Sequence, residues 1–437
     1  MLDISKPKSD DEAPESNPPK KLLNALGPGL ITGASDDDPS GIGTYSQAGA
    51  QLGYGIGWTM LLTFPLMVAI QEISARVGRV TGLGIAGNVC RHYPPALLHG
   101  IVTLLFIANT INIAADLGAM ADATKLLIGG PAMLYVVGFG VLSVGAQIFF
   151  DYRRYVAVLK WLTLCLFAYV AALAVVKVDW YAAVSGLLVP RITWSGDYLT
   201  TVVAILGTTI SPYLFFWQAS QEAEDERIDP DKAPLLEKPL DAAMEFSRIR
   251  ADTIIGMAFS NLIALSIIIT AAATLNVAGK TDIQTSAQAA EALRPIAGAF
   301  AEIIFALGIV GTGLLAIPVL AGSTAYAVGE GRRWLVGLDR KPREAVAFYG
   351  VLALSAGIGI ALNFTAINPI EALYWSAVIN GVLAVPVMIL LMAMSRRTDV
   401  MGDFKISGLL YWLGWLATAV MTIAVIAMLF GVFFSRA

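Results

Sequence analysis

Ala34-Ser35-Asp36-Asp37-Asp38-Pro39-Ser40-Gly41 places three consecutive carboxylates and a proline inside an apolar run that extends from about Leu22 to Leu52. A charge at the centre of a bilayer costs about 2.5–3.5 kcal/mol even on the lenient insertion scale, so three in a row have to face water, an ion or protein. Pro39 cannot donate a backbone hydrogen bond, and Ser40, Gly41 and Gly43 weaken the helix beyond it. The stretch therefore predicts two half-helices with an unwound joint. Such a joint turns the last carbonyls of the first half toward a cavity, and adjacent carboxylates add full negative charge there, which makes a site for a cation. The alternative is a solvated loop at the membrane edge.

The composition around this stretch is that of a multi-span membrane protein. Of 437 residues, 57% are hydrophobic and 14% charged, against about 25% charged in soluble domains. The first twenty or so residues are polar, lack the pattern of a cleaved signal peptide, and are expected to form a disordered cytoplasmic tail over 1–21. The two cysteines, Cys90 and Cys165, suggest neither a disulfide framework nor a thiolate metal site. No nucleotide loop, zinc-protease helix, Ser-His-Asp arrangement or basic-aromatic nucleic-acid surface is present in the sequence, which argues against an enzyme and against nucleic-acid binding.

Apolar runs long enough to cross a bilayer fall near 22–52 (broken), 56–77, 97–125, 131–150, 155–176, 198–220 (broken), 252–275, 299–327, 345–364, 369–394 and 408–434. The expected architecture is an all-α polytopic membrane protein of eleven transmembrane helices. With the N-terminus inside, 22 of the 29 Lys and Arg residues fall on cytoplasmic segments and six outside, so the orientation expected is N-terminus cytoplasmic, C-terminus extracytoplasmic.

The second break lies at Gly207-Thr208-Thr209-Ile210-Ser211-Pro212-Tyr213, five spans after the first. Matching broken helices in corresponding positions point to inverted repeats with a binding site at the midplane. The expected transporter domain is 22–434, with a first repeat over 22–176, a second over 198–394 and an extra helix over 408–434. On the third span Asn109, Asn112 and Asp116 share one helical face, either as the lining of an aqueous path or as interhelical hydrogen-bonding groups. Asn380 on the tenth span is a lone polar group at membrane depth, read first as packing and second as a carbonyl ligand. His92 and His99 are expected at the interface, and 221–252 as a solvated, charged loop.

Gly27-Pro28-Gly29, the Asp38-Pro39 break, Gly49-Ala50-Gln51-Leu52-Gly53-Tyr54 and Gln71-Glu72-Ile73-Ser74-Ala75-Arg76-Val77-Gly78-Arg79-Val80-Thr81-Gly82 resemble the Nramp divalent metal transporters. The resemblance is specific over the first two spans and continues as a matching layout afterwards. It implies a LeuT-like 5+5 inverted-repeat fold, alternating access and a metal site between helices 1 and 6. The sequence departs from the family where the site should be. Asp38 keeps the acid of the family's Asp-Pro-Gly-Asn motif, but Ser40 and Gly41 follow, and Ser211-Pro212-Tyr213 stands where the family has Met-Pro-His. Without the thioether, oxygen ligands remain, and these suit Mg²⁺, Ca²⁺ and Mn²⁺. The pattern resembles the Nramp-related magnesium transporters.

The family's acidic positions on helix 3 fall on Asn112 and Ala115, and its helix 6 histidines on Tyr213 and Gln218, so the proton relay is expected to be lost. The resemblance thus implies a secondary transporter importing a hard divalent cation, Mg²⁺ with Mn²⁺ tolerated, without proton coupling. Asp38 would be the first carboxylate ligand, Asp37 the next and Asp36 a charge or water-mediated contact. The carbonyls of Ser35 and Thr208 and the Ser211 hydroxyl would complete the shell, with Asn380 as a further candidate. Asn109, Asn112, Asp116, Tyr213 and Gln218 would line the path. The divalent ion is substrate rather than cofactor, and neither a cofactor nor an obligatory protein partner is implied. The rival readings are a proton-coupled Mn²⁺/Fe²⁺ symporter, a LeuT-fold carrier of an organic cation or amino acid, and a non-transporting metal sensor.

Overall fold

The computed structural model describes residues 28–149, 166–229, 232–365 and 368–434. The expected tail, Cys165 and the first part of the fifth expected span lie outside them. The described residues are helical with short connections, and eight helices are long and apolar enough to cross a membrane. A further apolar helix is shorter, Val346–Leu362.

Both expected breaks are present. The first run divides into α1 (Pro28–Asp36) and α2 (Pro39–Leu52), with Asp37 and Asp38 as the joint. Pro39 begins α2, where its missing N–H would have had no partner, and the Asp38 carboxylate accepts from the Gly41 amide at 2.7 Å as the N-cap. Next come α3 (Trp58–Thr81), α4 (Ile85–His92), α5 (Pro95–Ile128), α6 (Ala132–Phe149) and α7 (Trp180–Leu188). The second break separates α8 (Gly196–Thr209) from α9 (Pro212–Ile228), again with proline at the first helical position. The chain closes with α10 (Ala242–Ala271), α11 (Ala301–Gly331), α12 (Val346–Leu362), α13 (Pro369–Met394) and α14 (Gly408–Phe434). The expected loop over 221–252 is shorter than the sequence suggests. Helix α9 runs on to Ile228 and α10 begins at Ala242, because Glu222, Glu226 and Glu245 find arginine partners and need no water.

The two broken helices lie at the centre. Helix α1 packs along α10, α2 against α10, α8 and α13, and α9 against α3 and α11, while α5 lies against α11, α12 and α13. Lipid tails are as apolar as leucine, so helices in a bilayer associate through close packing and polar contacts. Two crossings show the close packing directly. A Cβ placed on Gly33 of α1 would stand 2.3 Å from the Gly256 carbonyl group of α10, and one on Gly207 of α8 would stand 2.1 Å from the Ala377 carbonyl oxygen of α13. The backbones meet because neither position carries a side chain. The Asp252 carboxylate of α10 also accepts from the Gly29 amide at 2.7 Å, satisfying one of the unpaired N–H groups at the start of α1. Helix α1 is thereby fixed to α10 along its length and at its tip.

One end of the bundle is tied by ion pairs. Buried Arg79 of α3 reaches Glu226 of α9 at 2.6 Å and Glu245 of α10 at 3.1 Å, and Arg248 bonds Glu222 at 2.5 Å and Glu245 at 3.0 Å. The Leu235 and Leu236 amides donate to the Arg79 and Val80 carbonyls, which lays the connecting segment across the end of α3.

Candidate metal site

Unwinding at Asp37 and Asp38 turns three consecutive carboxylates in two directions. Asp36 and Asp37 face α10, where the Ser260 hydroxyl lies 2.5 Å from Asp36 Oδ2 and 3.2 Å from Asp37 Oδ1. Asp38 faces the opposite way. Its Oδ2 accepts from Asn112 Nδ2 at 3.0 Å and from the Tyr213 hydroxyl at 3.4 Å. Asn112 Nδ2 also lies 3.4 Å from Asp116 Oδ2, and Asn380 Nδ2 donates to Asn112 Oδ1 at 3.5 Å. The Asp38 group thus draws on the first joint, α5, α9 and α13.

Among the described residues no three acidic, histidine or cysteine side chains converge on one point. The structure therefore brings Asp38 together with Asn112, Asp116, Tyr213 and Asn380, and sets Asp36 and Asp37 apart with Ser260. The remaining expected residues have partners of their own. Ser35 gives its carbonyl to the Tyr213 hydroxyl at 3.4 Å. The Ser211 hydroxyl turns back to the Gly207 and Thr208 carbonyls at 2.8 and 2.9 Å, closing the open end of α8. Asn109 donates to the Leu320 carbonyl and to the Ser323 and Thr324 hydroxyls, tying α5 to α11. Gln218 accepts from Gln71 and reaches Thr253, joining α3, α9 and α10.

Asp36, Asp37, Asp38 and Asp116 are each no more than 1% exposed, so the joint is closed to water from either side. Among the described residues none of the four forms an ion pair with a basic side chain. Asp36 Oδ1, Asp37 Oδ2, Asp116 Oδ1 and Asn380 Oδ1 are buried oxygen acceptors without a hydrogen-bond donor. Buried charge in this density needs compensation by protons or metal ions. The donors on offer are carboxylate, amide and hydroxyl oxygens.

Two residues were outside the sequence reading. Ser260 had no visible signal, being one hydroxyl in an ordinary apolar helix 223 positions away from Asp37. Met120 lies one turn beyond Asp116 on α5, buried, with its thioether against Gly313, a position that also meets the Pro39 ring. The i, i+4 spacing from Asp116 to Met120 is legible in the sequence.

The family model described as natural resistance-associated macrophage protein-like matches residues 29–431. A divalent metal cation transporter MntH from Acidiphilium cryptum is 27% identical over 396 residues, covering 88% of this chain and 84% of the relative. The Granulibacter bethesdensis protein of the same name is 26% identical, with 92% and 87% covered. In structure the chain is similar to the Eremococcus coleocola manganese transporter, crystallised with an aromatic bis-isothiourea compound, at a TM-score of 0.69 and 19% identity, over 99% of this chain and 92% of that one. This likeness establishes the fold.

Proposed function

The chain belongs to the Nramp family of membrane transporters, and from that premise we propose that it carries a divalent metal cation into the cytoplasm, with a hard ion, Mg²⁺ with Mn²⁺ tolerated, as its preferred cargo. The observation that carries the reading is the buried Asp38 carboxylate at the helix break, bonded to Asn112 and Tyr213 and linked through Asn112 to Asp116 and Asn380. These offer oxygen and no thiolate or imidazole, which suits a hard ion that keeps part of its water. Asp38 is the first ligand. Asp116 and the Asn112 and Asn380 carbonyls complete the group, and Asp36 and Asp37 receive the ion on the α10 side of the joint. The Ser35 and Thr208 carbonyls and the Ser211 hydroxyl border the two breaks and take part as the joint opens.

Tyr213 and Gln218, which stand where the family has histidines, support transport without proton coupling, with Asp116 left as the acid that could still carry a proton. An inside-negative potential supplies about 2.3 kcal/mol per charge per 100 mV, twice that for a dication. The basic loops favour a cytoplasmic N-terminus and an extracytoplasmic C-terminus.

The test is uptake into proteoliposomes loaded with a Mg²⁺ dye and a pH dye, for wild type and Asp38→Ala. Saturable Mg²⁺ entry without acidification, lost in Asp38→Ala, supports the proposal; Mn²⁺ entry with acidification and no Mg²⁺ entry overturns the ion and coupling assignments. Met120 favours a second reading, a transition-metal carrier in which its sulfur replaces the missing helix 6 thioether. On that reading Met120→Leu weakens Mn²⁺ and Cd²⁺ uptake by about tenfold, or 1.4 kcal/mol, and leaves Mg²⁺ unchanged.

A further inference from the structure

Away from the aspartates, a cavity of about 350 Å³ opens at the end of the bundle that carries the arginine network. It is lined by Arg91 near the end of α4, Arg227 near the end of α9 and Arg333 just past α11, with Glu330 and Trp334 beside them. All three arginines are exposed. Arg91 and Arg333 form no ion pair among the described residues, and Arg227 has only a 3.9 Å contact with Glu224. Glu330 contributes one negative charge to the lining, beside Arg227, and its carboxylate accepts from the Gly87 amide at 2.9 Å and the Ser220 hydroxyl at 2.9 Å. Three guanidinium groups from three separate elements therefore border one cavity against the single lining carboxylate of Glu330, which leaves the lining net positive.

Arg333 adds an independent observation. Helix α11 ends with the Trp334 amide on the Gly329 carbonyl and the Arg333 amide on the Glu330 carbonyl, and Arg333 takes the left-handed turn at φ 59°. Glycine is the usual residue at such a helix end. Arg333 is the only non-glycine residue with positive φ among those described, a conformation that L-residues adopt at a cost. The side chain retained at that cost is one of the three on the cavity. A preference for basic residues on the cytoplasmic side accounts for their number, but not for this position.

We propose that the cavity binds a phosphate-bearing anion, held by Arg91, Arg227 and Arg333. Guanidinium groups match phosphate oxygens two at a time, and the volume falls in the range of small-ligand sites. Trp334, 42% exposed, offers a flat apolar face beside the charges for the rest of the ligand. The phosphate comes either from a soluble nucleotide or from an anionic lipid headgroup. The soluble source rests on the proposed orientation, which places this end in the cytoplasm, whereas binding itself does not depend on which ion is carried. A ligand across all three arginines joins α4, α9 and α11, and so holds the closed arrangement of α9.

The test measures binding on the purified full-length protein with EDTA present, independently of transport. ADP is titrated calorimetrically into wild type, Arg333→Gly and Arg91→Gln, and phospholipid retained from nanodiscs with and without phosphatidylglycerol is quantified for the same proteins. Saturable ADP binding, weakened at least tenfold in both variants, supports the proposal with a soluble source. Selective retention of phosphatidylglycerol that falls in both variants, without ADP binding, supports it with a lipid source. If neither ligand distinguishes the variants from wild type, the proposal is overturned. Arg333→Gly keeps the left-handed turn and melts no lower than wild type, so its loss of binding cannot be assigned to misfolding.

Discussion

Asp37 is the residue at which the two groups of the site divide, and its Oδ2 is buried without a donor. Four buried carboxylates and one dication leave a negative excess that protons or a second ion must offset. Replacing Asp37 by Asn removes one such charge. The metal-free protein then melts at a higher temperature than wild type, while the upward shift produced by Mg²⁺ becomes smaller. Differential scanning fluorimetry with and without Mg²⁺ measures both, and a lower melting point in the metal-free variant would count against an uncompensated charge at this position. The sequence made the joint legible, because a proline after three acids in an apolar run has few other readings. It did not reveal that Asp36 and Asp37 turn away from Asp38. That depends on Ser260, and a partner more than two hundred residues distant leaves no local pattern. Asn109 illustrates the same limit. Its spacing with Asn112 and Asp116 marks a shared face, yet its hydrogen bonds go to α11 while Asn112 bonds Asp38 at the joint and Asp116 beside it.

At the scale of the element, the part of α1 away from the joint is held to α10 by the Gly33 contact and the Asp252 carboxylate. Gly33→Ala puts a methyl group where the Gly256 backbone already stands. Such overpacking costs about 1–3 kcal/mol and is relieved if α1 leaves α10. Asp252→Ala removes the acceptor at its tip, a loss of about 1 kcal/mol for a capping group. Either change should favour the open position of α1. In a background without the native cysteines, Thr32→Cys, fully buried here, should react with a membrane-permeant thiol reagent several-fold faster when combined with Asp252→Ala. An unchanged labelling rate would mean that Asp252 does not restrain the helix. Both broken helices were legible at this scale, whereas their neighbours were not, because helical periodicity reports which face is apolar and not what lies against it.

Across the whole molecule, Arg79 connects α3, α9 and α10 through Glu226 and Glu245. Removing one partner of a buried pair leaves the others uncompensated, typically at 3–5 kcal/mol. Arg79→Met is therefore expected to lower the melting temperature markedly, and Arg79→Met with Glu226→Gln to recover part of the loss. A double variant no more stable than the single one would remove the pair from the account. The orientation inferred from 22 basic residues on one side is checked at the same scale. Tags at the two termini of spheroplasted cells should show the C-terminus open to protease and the N-terminus protected.

The nine residues of α1 form a rod about 13 Å long, with its pivot at Asp37 and Asp38 and its tip held by the Gly29–Asp252 bond. A rotation of about ten degrees at the pivot moves such a tip by about 2 Å, more than a single hydrogen bond can stretch. The rod is a lever, and the proposed ion site lies at its fulcrum. A small change in coordination at the fulcrum is thus read out as strain on one bond at the far end, and because the Gly33 and Gly256 backbones meet midway, the rod swings only as α10 yields with it.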